Sequence, residues 1–202
     1  MGQPVLMVFA VGVGLDEFLA VRGRVATPRP RRCPACGHGR VTFDGWWTRQ
    51  TRRGPVDIHR VLCAGCGRSH SCWPDVLVGG RVDAVAAIGA ALEAKAAGWG
   101  HRRIAGWLGV PAATVRGWLR RFVVGAEGLT RRLVALAADA DPAVRAPPAG
   151  SPVAVAVAAV GLAAAAMARL SGEPIAGWRL VVAVTGGLLL APPTQAASSA
   201  RR

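Results

Sequence analysis

The sequence predicts an α+β fold that is mainly α, and three observations carry the prediction. Two matched turns, Cys33-Pro34-Ala35-Cys36-Gly37 and Cys63-Ala64-Gly65-Cys66-Gly67, enclose a stretch with the composition of a β-hairpin. Between His101 and Arg120 two short helical patterns meet at Gly109-Val110-Pro111. The remainder, toward the C-terminus, is rich in alanine and poor in charge. A chain of 202 residues suits one or two compact domains with real cores, which argues against both a disordered tail and a large multidomain enzyme. Three segments follow from these signals: residues 1–78, 79–126 and 127–202.

The first element is an apolar run from Pro4 to Leu15. No positive residue precedes it and Asp16 and Glu17 follow at once, so it reads as a buried strand with a short helix at Leu15 to Ala20, not as a secretory signal. Next come the cysteine pairs. A two-residue gap lets each turn aim both sulfurs at one point, and the glycine after each pair permits the backbone to bring N–H groups toward them. The 26 intervening residues hold two strand-like runs, Val41 to Thr48 and Val56 to Leu62, on either side of Arg53-Gly54-Pro55. Turn, hairpin, turn is the pattern of a zinc ribbon, with Cys33, Cys36, Cys63 and Cys66 as ligands of a structural Zn²⁺. Four protein ligands leave no open position for water, so the metal is not catalytic. Disulfides fit poorly with a chain that carries no secretory signal, and a redox site would need a single pair opening a helix. Cys72 reads as a spare buried thiol, and His38 and His70 as neighbours of the cysteine turns or surface residues.

The third group of elements is trihelical. Val82, Val85, Ile88 and Leu92 give one amphipathic helix ending near Gly98. Ile104, Leu108, Val110, Val115 and Trp118 are spaced so that two further helices, crossing at a sharp turn, bury all five. Ala105 is small at the close approach, Gly109 supplies the positive φ, and Pro111 opens the last helix. This is a helix-turn-helix, whose second helix enters the major groove of double-stranded DNA. Its outward face offers Ala112, Ala113, Arg116, Gly117 and Arg120. Arg116 suits bidentate contact with guanine, and Ala112 or Ala113 a thymine methyl. Thr114, Arg102, Arg103 and Arg121 suit phosphates, as do Arg49, Arg52, Arg53 and Arg60 of the hairpin.

Charge supports this placement. The chain has 25 Lys+Arg against 11 Asp+Glu, a net charge of +14, and Lys95 is its only lysine. Residues 22–68 carry eleven arginines against two acids and residues 100–132 seven against one, while residues 133–200 balance to zero. The two basic islands coincide with the two motifs, and a basic surface attracts polyanions.

In the C-terminal segment, Val153 to Ala168 holds sixteen uncharged residues, nine of them alanine, which span about 24 Å as a helix against a bilayer core of about 30 Å. A buried helix is expected, followed by a turn at Ser171 to Pro174 and an apolar segment from Trp178 to Leu190 that stops at Pro192-Pro193. Such a pair cannot easily bury itself, so packing on the helix-turn-helix or homodimerisation through this tail is expected, and a membrane partner is not.

Taken together, Cys-Pro-x-Cys-Gly, an Arg-rich hairpin, Cys-x-x-Cys-Gly-x-x-His, a helix, and the run Ile104-Ala105-x-x-Leu108-Gly109-Val110-Pro111-x-x-Thr114-Val115-Arg116-x-Trp118-Leu119-Arg120-Arg121-Phe122 resemble a bacterial family of zinc-ribbon/helix-turn-helix proteins. They are also similar to the N-terminal, end-recognising part of insertion-element transposases. The resemblance spans about residues 5–123 and implies DNA binding. Past Phe122 only Glu127, Asp139, Asp141 and Glu173 remain as carboxylates, too few on too small a domain for a two-metal transposase centre, so the chain is not expected to be an enzyme. The expectation is a cytoplasmic, nucleoid-associated, sequence-specific DNA-binding protein: a transcription regulator or domesticated mobile-element protein. Its alternative is the recognition subunit of a transposition system with a separate catalytic protein. RNA binding through the ribbon is a third reading.

Overall fold

A computed structural model describes residues 6–191; Pro4, Val5 and the Pro192-Pro193 stop lie outside them. Four strands and six helices follow in the order β1 (Leu6–Phe9), α1 (Leu15–Ala20), β2 (Val41–Thr51), β3 (Gly54–Cys63), β4 (Ser69–Pro74), α2 (Val85–Ala96), α3 (His101–Leu108), α4 (Ala112–Ala140), α5 (Pro152–Ser171) and α6 (Gly177–Val184). The strands form one sheet in the order β1-β4-β3-β2, with β1 parallel to β4 and the other pairs antiparallel. The expected N-terminal strand and α1 are present. The hairpin is longer and tighter than expected, since Gly54 and Pro55 already belong to β3 and pair with Thr51 and Gln50. Thr51 closes its end by donating Oγ1–H to the Gly54 carbonyl at 2.7 Å.

One sheet face, carrying Val56, Ile58 and Trp73, packs into the main core with the helices. The other face holds a small separate cluster of Cys33, Val41, Val61, Cys63 and Cys72. Asp57 is buried on that second face, where the loop after α1 crosses it. Burial works against its charge, but the Thr48 hydroxyl at 2.9 Å, Arg24 at 3.1 Å and Arg22 at 3.4 Å hold its pKa below the usual carboxylate value. A carboxyl with a lowered folded pKa contributes stability that is present above its unfolded pKa, about 4, and is lost as pH falls through the folded value. Thermal melts between about pH 5 and pH 2 should therefore show a steeper loss of stability in the native protein than in Asp57→Asn; parallel curves would contradict this.

The helical part departs from expectation at three points. Val82 does not join the α2 core stripe. It lies ahead of the helix and is 47% exposed, while Val85, Ile88 and Leu92 are buried as expected. The last helix of the helix-turn-helix does not stop near Phe122 but runs to Ala140, about 44 Å in all. The reason is an unbroken apolar stripe, Val115, Trp118, Phe122, Ala126, Leu129, Leu133 and Ala137, all buried at three- and four-residue spacing. Third, α5 has 20 residues, capped at Ser151, whose Oγ accepts the Ala154 N–H, and ended at Gly172 with φ 74°. It is thus long and apolar enough by length and composition to cross a membrane, contrary to the shorter reading of the sequence.

In this fold α5 packs along α4 and against α2, burying Val153, Ala156, Ala159, Val160, Ala163 and Ala166. Packing on the helix-turn-helix, one of the two arrangements expected for this segment, is thus present. α6 then returns to the N-terminal segment. Trp178 lies against Gly89 of α2, where a Cβ would collide with its ring, and donates Nε1–H to Glu93 at 2.7 Å. Arg179 grips buried Asp75, at the end of β4, with two bonds of 2.8 Å and donates a third to the Val13 carbonyl. Further along, the Gly79 N–H donates to the Gly187 carbonyl at 2.7 Å. Sheet, helix-turn-helix and tail share one core.

Candidate nucleic-acid interface and metal centre

The two cysteine turns are built alike. In the first, the Gly37 N–H donates to the Cys33 carbonyl at 2.8 Å and the Ala35 N–H to the Cys33 sulfur at 3.4 Å. In the second, the Gly67 N–H donates to the Cys63 carbonyl at 2.9 Å and the Gly65 N–H to the Cys63 sulfur at 3.3 Å. Gly37 and Gly67 both take positive φ, 73° and 66°. The Ala64 N–H donates to the Arg40 carbonyl and ties one turn to the other. All four sulfurs lie within 4.8 Å of one another, with Cys33 to Cys66 at 3.8 Å and Cys36 to Cys63 at 3.6 Å. Tetrahedral zinc with Zn–S bonds of about 2.3 Å requires sulfurs about 3.8 Å apart, so the spacing fits that ion and is far too long for a disulfide.

The donor chemistry points the same way. Backbone N–H groups of Cys66 and, behind the opposing effect of burial, Gly65 bring the Cys63 thiol down to about 6. Against the His38 N–H, burial and the neighbouring thiols push Cys36 up to about 12. Four sulfurs in one space cannot all ionise unless a cation sits among them. His70 is buried with Nε2 3.4 Å from the Cys33 sulfur, and burial followed by the charge of Arg68 lowers its pKa, leaving a neutral ring beside the cluster. His38 is exposed and accepts the Arg40 N–H. Cys72 is buried outside the cluster, its thiol raised to about 11 by that burial.

The helix-turn-helix consists of α3, a turn and α4 on the support of α2. Gly109 takes φ 65°, and the Val110 N–H reaches back to the Ala105 carbonyl at 3.1 Å, ending α3. Pro111 stands just outside α4, and its carbonyl accepts from Thr114 and Val115. Ile104, Ala105, Val110, Val115 and Trp118 are buried and Leu108 is partly so. Residues 84–133 match the homeodomain-like domain family. This is a DNA-binding helix-turn-helix family, and the match ends inside α4, at its third-last turn before Ala140. No curated protein and no solved structure matches the chain.

On the homeodomain-like domain, Ala113, Arg116, Arg120 and Arg121 are exposed along α4. Ala112, Thr114 and Gly117 are partly buried, and Ala112 packs against the core, which leaves Ala113 as the better placed of the two alanines for a methyl contact. Arg121 folds back to donate to the Gly117 carbonyl at 3.2 Å. Arg102 and Arg103 are exposed on α3, but Arg103 lies over the Trp99 ring at 3.7 Å, and Trp99 meets Trp107 edge to face at 5.7 Å. Tryptophan spacing alone gave no sign of this stack.

The hairpin arginines are more committed than their exposure to sequence patterning suggested. Arg49 is half-buried over Trp73 and donates to the Arg81 carbonyl, and burial lowers its pKa. Arg52 is paired with buried Asp83, which raises its pKa, and so it braces the hairpin against the start of α2. Arg53 meets Asp16, and Arg60 meets Asp44 at 3.3 Å, both as surface pairs. Such surface pairs are worth about 1 kcal/mol or less and exchange readily for phosphate, whereas Arg49 and Arg52 belong to the scaffold.

Proposed function

We propose that this protein binds double-stranded DNA in a sequence-specific manner, with the first turns of α4 in the major groove and a structural zinc held by Cys33, Cys36, Cys63 and Cys66. One observation carries the reading: the homeodomain-like match coincides with an exposed arginine face, Arg116 and Arg120, on the helix that follows the Gly109 turn. The N-terminus of α4 has no side-chain cap, which favours a phosphate there. Arg116 reads guanine, Ala113 a thymine methyl, and Arg102, Arg120 and Arg121 hold the backbone. The role is that of a transcription regulator or domesticated mobile-element protein at the nucleoid, without catalysis by this chain. Buried Asp57, Asp75 and Asp83 are each engaged by arginine, as scaffold carboxylates are.

Selection of bound sequences from random duplex DNA, with and without a zinc chelator, tests the proposal. A defined motif is expected, and recovery of random sequence overturns it. With that motif in hand, Arg116→Ala should cost about 1–3 kcal/mol and relax a single position, while Arg121→Ala weakens all sequences alike. The affinity of the native chain should fall with log salt at a slope of about −5 or steeper. If the selected motif matches inverted repeats flanking the coding region, the chain is the recognition subunit of a transposition system; if it matches promoters, it is a regulator.

A further inference from the structure

The sheet carries a second surface that the helix-turn-helix does not use. Phe43 and Trp46 are 51% and 60% exposed on β2, unusual for two large aromatics so close together. Three residues apart, they would point to opposite faces of a regular strand. The ladder instead skips between them, with Phe43 opposite Val61 and Trp46 opposite His59, so that Asp44 and Gly45 face a single residue of β3. Gly45 takes φ 75° to allow it. Since Val61 and His59 share a face, the bulge places Phe43 and Trp46 on that face together. With His59, whose ring meets Phe43 edge to face at 6.1 Å, and Thr27 they line an open cleft of about 430 Å³.

The chain beside this cleft is strongly cationic. Residues 22–32 hold five arginines and no acid. Arg22 and Arg24 are anchored on Asp57 yet keep half or more of their side-chain surface exposed, while Arg29 and Arg31 are exposed and form no ion pair among the described residues. An aromatic surface flanked by unneutralised arginine suits a planar, polyanionic ligand. Duplex DNA, with its bases stacked inside, offers no base face to it.

We propose that Phe43 and Trp46 form a stacking platform for unpaired bases of a single-stranded polynucleotide, whose phosphates lie along Arg24, Arg29 and Arg31. The bulge at Asp44-Gly45 is what builds the platform. Every base has a π-face, so the site reads strandedness and not sequence.

The test is the affinity of the full-length, zinc-loaded chain for a ten-nucleotide oligo(dT) and for oligo(U), beside a duplex carrying the selected motif. Phe43→Ala/Trp46→Ala should weaken single-strand binding about tenfold or more and leave the duplex affinity unchanged. Trp46→Phe should retain most of the binding and Trp46→Leu lose it, which separates stacking from apolar cover and serves if the double variant folds poorly. Stronger binding of oligo(dT) would mark melted or end-frayed DNA as the source of the strand, and stronger binding of oligo(U) would mark RNA. Single-strand affinity unchanged in the double variant and in Trp46→Leu overturns the proposal. So does a native dimer that dissociates on these substitutions while oligonucleotide affinity stays the same, because the cleft would then hold a second copy of the chain.

Discussion

Cys33→Ser should remove zinc from the protein and unfold the cysteine turns while leaving most of the helical signal intact. The expected loss is large, because apparent zinc-binding energies of about 10–16 kcal/mol in small zinc domains are also folding energies. It is also local. The cluster formed by Cys33, Val41, Val61, Cys63 and Cys72 is separate from the main core, which keeps Val56, Ile58 and Trp73 packed on the helices. Elemental analysis should fall from about one zinc per chain toward none, while the far-ultraviolet helical signal persists. Unchanged zinc content would contradict the metal centre. Cys72→Ser, buried outside the cluster, should retain the metal and provides the control.

Arg179→Ala should be the most damaging single change in the C-terminal segment. It leaves the Asp75 carboxylate buried, with the Val11 N–H at 3.3 Å as its remaining partner, and strands the Val13 carbonyl. Removing one partner of a buried pair costs about 3–5 kcal/mol, which for a protein of this size lowers the melting temperature by roughly 6–20 °C. Exchanging both partners for apolar residues, Arg179→Met with Asp75→Leu, should recover much of the loss if the damage comes from the uncompensated charge. Calorimetry of the single and double variants checks this. A single variant that melts within 2 °C of the native chain, on the scale of about 1 kcal/mol or less, would show that the pair does not hold α6.

What could be read from the sequence was what neighbouring residues encode among themselves. α1, the two cysteine turns, the Gly109 turn and the buried set around Val115 and Trp118 are all settled within a few residues of chain. The parallel pairing of β1 with β4 joins residues 65 positions apart, and Arg179 meets Asp75 across 104; no local pattern announces either. The same holds for the arginines. Arg49 and Arg52 look like solvated charge in sequence, and only the placement of Trp73, Arg81 and Asp83 around them shows that they are structural. The length of α4 was missed by the boundary at residue 126, although its apolar stripe continues in register to Ala137 past the point where the helix-turn-helix pattern ends. The platform was half legible: Phe43, Trp46 and the intervening glycine stand in the sequence, but a shared face follows only from a register one residue out of step.

Because α4 carries the proposed DNA-reading face on its first turns and holds α5 along its later ones, the helix-turn-helix is not an interchangeable cassette. A fragment cut at residue 126 would end in mid-helix and expose Phe122 and Ala126 where α5 and α6 had covered the core. Grafting this reading head onto another protein therefore means carrying the tail along with it.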